Sequence, residues 1–164
     1  MKQKLVVTLT LSTLLFAAIA LLFANAANTS DAGEIKIMDG ELVFVADMEY
    51  IKSLDSTTFE AVIRSSGKKP EAAEYTGIPL KTLLLSAEVD LEGRKQITVK
   101  GSDGYMAAIS ITELEEDGAY IAYEMNGKPI KPRGRGGNGP FQLVLPKDPF
   151  SQRWCKFVCE VAMK

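Results

Sequence analysis

The chain has 164 residues, with 19 Lys and Arg against 21 Asp and Glu and a formal net charge of −2. This balance argues against general nucleic-acid binding, which depends on an excess of positive charge. The sequence contains no His, which excludes Ser-His-Asp and Cys-His catalysis, His-containing zinc sites and His-ligated haem. Any proton transfer near neutral pH would therefore fall to a carboxylate, Lys, Tyr or Cys.

The N-terminus predicts export. Lys2 and Lys4 precede an uncharged apolar run over residues 5–23, and the small residues Ala24-Asn25-Ala26 follow. This is the pattern of a cleaved signal peptide over residues 1–26. A helix of that apolar run would be about 28 Å long, so a retained membrane anchor is the alternative.

The type of signal peptide indicates the route by which the chain would be exported. No Arg-Arg pair precedes the apolar run, and no Cys lies near the cleavage position. We therefore expect transport of an unfolded chain without lipid attachment, to a location that is periplasmic, extracellular or membrane-anchored on the outer side. Cleavage would remove two Lys and leave a net charge of −4. Residues 27–34 are predicted to be a flexible lead-in, and residues 35–164 one domain.

Short strands and turn dipeptides alternate in the first half of the domain. Strands are predicted at residues 35–37, 42–45 and 57–64, with Asp39-Gly40 as a hairpin turn and residues 65–74 as a polar loop. Asp47 is expected to cap a short helix that ends near Leu54. Pro79 is expected to open a second helix, because apolar residues follow it at helical spacing through Ala87.

The second half continues the same alternation. Strands are predicted at residues 96–100, 105–111, 119–125, 128–130, 141–146 and 153–162. Gly101–Gly104 and Asn126-Gly127 supply two further hairpin turns, and Thr112 is expected to cap an acidic helical turn through Asp117. The order predicts an α+β fold, a β-rich mixed sandwich or barrel-like domain with two or three short helices.

Two cysteines lie on the last predicted strand, at positions 155 and 159. Four residues along a strand span about 13 Å, beyond the reach of a disulfide, so the pair cannot bridge within one strand. Two small buried side chains are the simplest interpretation. An intermolecular disulfide is the alternative in an oxidising compartment, and a metal site built on this pair alone lacks further ligands.

Five segments of the domain resemble, in order, the sulfite oxidase family of molybdopterin-dependent oxidoreductases. The family patterns W-x-G-V-P-L-x-x-L-L, S-x-D-G-Y, L-A-x-x-M-N-G-x-P-L, H-G-x-P-x-R-L-V-V-P and K-x-x-K-W are matched at residues 75–84, 101–105, 121–130, 139–146 and 153–156. The resemblance covers roughly residues 35–164 and implies the family's fold. Turn residues and helix starts also explain each segment by itself, so the matches indicate a scaffold and leave function to the site.

The resemblance also implies where the cofactor would bind, and here the sequence departs from the family. The family's molybdenum is ligated by a Cys on the segment that corresponds to Phe59–Arg64, which contains none. Asn138 stands where the family has His, and Gln142 where it has Arg. The resemblance places Arg153 and Lys156 at two family lysines that face the phosphate end of the cofactor. Asp103 also matches a family position.

A basic, glycine-rich segment is the strongest binding signal in the residues themselves. Four cations, Lys128, Lys131, Arg133 and Arg135, lie within eight residues with no acid among them. Such turns can form an anion-binding nest, although a flexible solvated loop has the same composition. If a cleft exists, its walls are predicted from the loop after Arg64, the Ser102–Tyr105 turn, the Gly134–Gly139 loop and the start of the final strand.

Three functional hypotheses follow. The first is a molybdenum-free binding module for a small anionic ligand or an envelope protein partner, with no metal and no catalytic residue. Its candidate anion or pterin-phosphate contacts are Asp103, Arg135, Asn138, Arg153 and Lys156. The alternative is a molybdopterin-dependent oxidoreductase with an atypical site. A subunit-like interaction protein of the cell envelope is the third. Because the family's enzymes receive their cofactor in the cytoplasm, export of an unfolded chain favours the first.

Overall fold

A computed structural model describes residues 33–116 and 118–164 of the chain. The predicted signal segment and the lead-in through residue 32 lie outside the described residues. The described part contains ten strands, β1 Ile35–Asp39, β2 Glu41–Ala46, β3 Thr57–Ile63, β4 Glu71–Pro79, β5 Gln96–Gly101, β6 Met106–Ser110, β7 Tyr120–Met125, β8 Lys128–Pro129, β9 Gln142–Val144 and β10 Val158–Met163. It also contains three α-helices, α1 Met48–Ser53, α2 Leu80–Ser86 and α3 Ile111–Glu115.

The strands form two sheets. The first has the order β2-β1-β10-β5-β6, and the second has the order β3-β4-β7-β8, with β9 also paired to β7. Strands β1 and β10 run parallel, whereas the other pairs among the ten strands are antiparallel. The pairs β1–β2, β5–β6 and β7–β8 are hairpins, as the sequence predicts. The strand-rich α+β class with three short helices is therefore confirmed.

The predicted turn dipeptides lie at hairpin turns. Gly40 has φ of 75° between β1 and β2, and Asn126 and Gly127 have φ of 53° and 68° between β7 and β8. Two consecutive residues with positive φ give the turn that matches the twist of a two-residue hairpin. Asn and Gly are the residues that adopt this region at least cost, so the local sequence sets the register here.

One helix cap is confirmed and one is wrong. The Asp47 carboxylate accepts a hydrogen bond from the Tyr50 amide at 2.7 Å and caps α1. The cap of α3 is Ser110 and not Thr112, because Ser110 and Glu113 form a reciprocal capping box. Each satisfies a backbone N–H that the first helical turn leaves unpaired.

The predicted polar loop at residues 65–74 is too long. Strand β4 begins at Glu71 and pairs with β3 from Glu71 to Gly77. Its inward residues Ala73 and Tyr75 are buried while Glu71 and Glu74 are exposed. Glu74 lies on the solvated face and Glu71 is exposed at the first position of the strand, so this polar sequence was predicted to be a loop although the strand has a buried face.

The last predicted strand is interrupted. A 3₁₀ turn occupies Ser151–Arg153, and β10 begins at Val158 and not at Arg153. Phe157 has φ of 54°, a left-handed conformation that a continuous strand cannot contain. Cys155 therefore lies before the strand and Cys159 within it, and the expectation that both lie on the last strand is wrong.

Buried apolar side chains from both sheets and all three helices form one core cluster. Within it Gly77 of β4 lies against the backbone of β7, where the strand register shifts between Thr76 and Gly77. A Cβ added at Gly77 would lie 2.3 Å from the Ile121 carbonyl oxygen. No flexible side chain can yield there, since the obstacle is backbone of the central strand.

We predict that Gly77→Ala lowers the free energy of unfolding by about 2 kcal/mol or more, because backbone must move to admit the methyl group. Glu74→Ala is the matched control, an exposed change on the same strand, and should stay within about 0.5 kcal/mol of the wild type. Urea denaturation followed by circular dichroism measures both. Equal stability of the two variants would contradict the close approach of β4 and β7.

Candidate functional site

The chain between β9 and β10, residues 145–157, organises the candidate site and is called the connector below. Trp154 is buried and anchors it, with the indole N–H donating to the Leu145 carbonyl at 3.2 Å. Its ring meets the buried Tyr75 ring edge-on at a centroid distance of 5.9 Å. Trp154 thus fixes the connector to the core of the domain.

Hydrogen bonds join the connector to three loops. Ser151 Oγ accepts from the Arg64 amide at 2.6 Å and donates to the Arg64 carbonyl at 3.0 Å. The Tyr105 hydroxyl donates to the Gln152 carbonyl at 2.5 Å. The Phe157 amide donates to the Asn138 carbonyl at 2.8 Å, and its carbonyl accepts from the Ser102 amide at 2.9 Å. The four segments predicted as cleft walls therefore meet along this connector.

A pocket of about 280 Å³ lies between the connector and the loop that follows β3. It is lined by Arg64, Ser65, Ser66, Lys68, Pro70, Phe150 and Gln152. The lining combines two cations, two hydroxyl groups and an exposed aromatic ring, and it contains no carboxylate. Of the four predicted walls, the loop after Arg64 lines this pocket; Phe150 and Gln152 precede Arg153, where the final strand was predicted to start.

The two cations of this pocket carry uncompensated charge. Within the described part of the chain, no carboxylate lies within 4.0 Å of the Arg64 guanidinium or the Lys68 ammonium. Lys69, next along the same loop, is exposed and does not line the pocket. Two cations at one concave surface concentrate positive potential, even on a chain of net negative charge.

A second concavity has a different character. It is a more open depression of about 340 Å³ lined by Asp47, Glu49, Tyr50 and Ser53. All four side chains belong to the first turns of α1, where Asp47 already serves as the cap. The acidic residues of this depression are therefore explained by the start of α1, where Asp47 is the cap and Glu49 lies in the first turn.

Arg153 is held by carboxylates. Its guanidinium donates to Asp148 through Nε at 2.8 Å and again through Nη2, which also lies 2.5 Å from Glu113 Oε1. The hydrogen bond from Arg153 lowers the pKa of Glu113 to about 2, and bonds from Ser110 act in the same direction. The carboxylates in turn raise the pKa of Arg153. With its charge balanced in this way, Arg153 is ill placed as the anion contact that the sequence suggested.

Three of the other candidates, Asp103, Asn138 and Lys156, lie near Phe157, and none of them lines the pocket. Asp103 Oδ1 accepts from the Tyr105 amide at 3.1 Å and so shapes its own turn. Lys156 is exposed, and Asn138 contacts Phe157 through its carbonyl. Arg135 is exposed on the glycine-rich loop. The structure therefore brings Asp103, Asn138 and Lys156 near one another and leaves Arg153 with its acidic partners.

The glycine-rich loop is compact. The Gly139 amide donates to the Lys131 carbonyl at 2.9 Å, and the Arg135 and Gly137 amides both donate to the Pro132 carbonyl. Gly137 packs so closely that an added Cβ would lie 1.9 Å from the Lys131 oxygen. Arg133 lies over the Phe157 ring at 5.4 Å from its centroid. The loop amides of Arg135, Gly136, Gly137 and Gly139 thus donate to carbonyls of the same loop, which does not favour an anion nest.

Sequence reasoning predicted the loop after Arg64 as a wall without singling out Lys68, and it missed Phe150. These two residues lie on separate loops that the Ser151–Arg64 hydrogen bonds bring together across 87 positions of the chain. The only local signal was the charge of Lys68-Lys69 beside Arg64. Nothing in the residues around Phe150 indicates its exposure at a pocket.

The thiols do not fit a thiolate-bound metal. Cys155 is buried, its Sγ lies 3.5 Å from the Lys156 carbonyl oxygen, and burial raises its pKa to about 12. Burial also raises the pKa of Cys159, whose Sγ lies 3.6 Å from the Lys100 carbonyl oxygen. Both are free cysteines. The described residues contain no group of three Cys, Asp or Glu side chains arranged to hold a metal ion.

Gln142 is the further difference from the cofactor-binding pattern. It is buried in β9, where the family resemblance gives Arg, and its side-chain oxygen has no hydrogen-bond partner among the described residues. A neutral amide at this position supplies no positive charge to an anionic cofactor. Together with the missing thiolate, it means that the donor set does not fit the family's molybdenum site.

The two sheets, short helices and connector define a domain of the sulfite oxidase type. Residues 42–164 match the family model described as the oxidoreductase molybdopterin binding domain, and the chain belongs to this family. Its fold is similar to the sulfane dehydrogenase SoxCD from Paracoccus pantotrophus, with a TM-score of 0.67 and 20% sequence identity over 82% of this chain. The match spans 38% of the SoxCD chain. No curated protein matches the sequence.

None of the helices within residues 33–116 and 118–164 has the length and apolar character needed to span a membrane.

The Arg153 ion pairs predict a pH dependence of stability. The folded pKa of Glu113 is about 2, below the usual value of about 4.3 in an unfolded chain. The stabilisation is therefore complete above the unfolded pKa and is lost as pH falls toward 2. Because the Glu113 side chain is 36% exposed, solvent screening limits the effect to about 1 kcal/mol.

We expect Glu113→Gln to lower stability by that amount at pH 7 and to match the wild type at pH 2. Gln preserves the capping box with Ser110. Glu115→Gln, an exposed neighbour without an ion pair among the described residues, serves as control. Urea unfolding across pH 2–7 measures the difference, and a constant offset between Glu113→Gln and the wild type would contradict the shifted pKa.

Proposed function

We propose that this chain is an exported, molybdenum-free member of its family that binds a small anion. The ligand site is the pocket lined by Arg64, Lys68 and Phe150. The observation that carries the proposal is a concave surface with two cations and no carboxylate in its lining. The N-terminal sequence supports export, since residues 1–26 have the three parts of a signal peptide.

The position of Arg64 favours direct contact with a ligand. Its backbone is fixed by both hydrogen bonds to Ser151, while its side chain lines the pocket and lacks an acidic partner among the described residues. An Arg fork can donate two parallel hydrogen bonds to a carboxylate or similar oxyanion. Lys68 and the hydroxyl groups of Ser65 and Ser66 supply further donors at the same surface.

The absence of molybdenum is proposed from the chemistry of the side chains. The two thiols of the chain are kept protonated by burial, and each Sγ lies beside a backbone carbonyl. Soft thiolate ligation is what the family's metal requires. Neither thiol lies on the pocket, so neither offers a ligand at the site where an anion would bind.

A second candidate function is favoured by the family match itself, which is to a molybdopterin binding domain. In that case the chain would be an oxidoreductase with an atypical ligand set. An envelope protein partner for the exposed cations of the glycine-rich loop, Lys131 and Arg135, is compatible with either function.

The anion site is tested by isothermal titration calorimetry with benzoate. We expect Arg64→Gln and Lys68→Gln each to weaken binding about tenfold, since a hydrogen bond to a charged group contributes about 1.5–3 kcal/mol. Lys69→Gln, on the same loop outside the pocket, should change the affinity by less than about threefold. Equal loss in all three variants would mean that loop charge and not the pocket binds the anion.

The metal hypothesis is tested by elemental analysis of protein purified from its native host grown with molybdate. We expect molybdenum far below one atom per chain, because no thiolate is available to hold it. Stoichiometric molybdenum would establish the oxidoreductase alternative instead. Zinc and iron measured in the same sample serve as controls for adventitious metal.

A further inference from the structure

Phe150 is the unexplained side chain of the pocket. Its ring is 59% exposed, although large apolar side chains are usually withdrawn from water. The adjacent Ser151 is fixed to Arg64 by two hydrogen bonds, so the backbone that carries the ring has a defined position. The core does not use this ring, which leaves it available at the pocket beside two cations.

The pocket is larger than an inorganic anion needs. Its volume of about 280 Å³ corresponds to about nine water molecules at about 30 Å³ each. It lies just below the range of about 300–1,000 Å³ for sites that bind small organic molecules. A ligand that fills it would have an apolar part in addition to its charged group.

The lining is divided by chemistry in the same way. Arg64, Lys68 and the two serine hydroxyl groups offer donors, whereas Phe150 and Pro70 offer apolar surface. Concave sites with an apolar wall and a few polar groups typically take their specificity from the polar contacts and much of their affinity from the apolar wall. The donor side of the pocket therefore suits the charged group of a ligand, and the apolar side suits the apolar part of the same ligand.

We infer that the pocket binds an aromatic organic acid, with its carboxylate or sulfonate on Arg64 and Lys68 and its ring against Phe150. This inference rests on the proposed function, because it keeps the charged group at the same two cations. Aromatic pairs prefer offset or edge-to-face contact. Such a contact, added to burial of the ligand ring, should raise affinity between about two- and tenfold over an aliphatic acid of equal charge.

The test compares two pairs of anions that differ only in the apolar group. Benzoate is compared with acetate, and benzenesulfonate with methanesulfonate, by isothermal titration calorimetry on the wild type. We expect each aromatic anion to bind about two- to tenfold more tightly than its aliphatic partner. Phe150→Ala should reduce this preference to less than about twofold while leaving acetate affinity unchanged.

Met106→Ala is the matched control, since Met106 is also exposed and lies outside the pocket. It should retain the full aromatic preference. Melting temperatures of both variants within about 2 °C of the wild type would show that the fold is intact, as expected for exposed positions.

The outcomes separate this inference from the proposed function. Equal affinity of aromatic and aliphatic anions for the wild type, both sensitive to Arg64→Gln, would overturn the aromatic preference and leave the anion site standing. Retention of the preference in Phe150→Ala would also overturn it. Failure of all four anions to bind would overturn the anion site and the aromatic preference together.

Discussion

Burial of Trp154 is the constraint on which the candidate site depends. Its indole N–H donates to the Leu145 carbonyl and its ring packs on Tyr75 of the second sheet, so the connector is fixed to the core. From that fixed point Ser151 and Gln152 reach Arg64 and Tyr105, and Phe157 reaches Asn138. Loops distant in sequence thus acquire defined positions because one aromatic side chain is anchored in the core.

The domain has the fold of its family, but several of its charged side chains make contacts within the domain instead of facing a cofactor. Arg153 stands where the resemblance places a cofactor contact, yet it joins α3 to the connector through Glu113 and Asp148. Arg133 is drawn over Phe157. The positive charge at the pocket is that of Arg64 and Lys68, on the loop after β3. A family position therefore predicts a cation more reliably than it predicts the cation's role.

The sequence was most informative where local chemistry decides the structure. Asp47 and the Asn126-Gly127 turn were predicted correctly because capping and positive φ depend on a few adjacent residues. The predictions were wrong where contacts between residues far apart in the sequence decide the local structure. Glu71 joins a strand because β3 lies beside it, and Phe157 breaks one because the Ser102 and Asn138 loops hold its backbone. The pocket was missed for the same reason, since Arg64 and Phe150 meet only in the folded chain.

The parallel pairing of β1 with β10 gives the first sheet an order of assembly. Strand β10 lies between the β1–β2 hairpin and the β5–β6 hairpin, and it bonds to both. Each hairpin can form from adjacent residues, but the two become one sheet only when the final strand inserts between them. Contacts of such long sequence separation are slow to form, since a large loop must close first. During synthesis or transport from the N-terminus, the domain would remain open until its last strand emerged. The connector lies just ahead of that strand, so the pocket would be completed at the same late step.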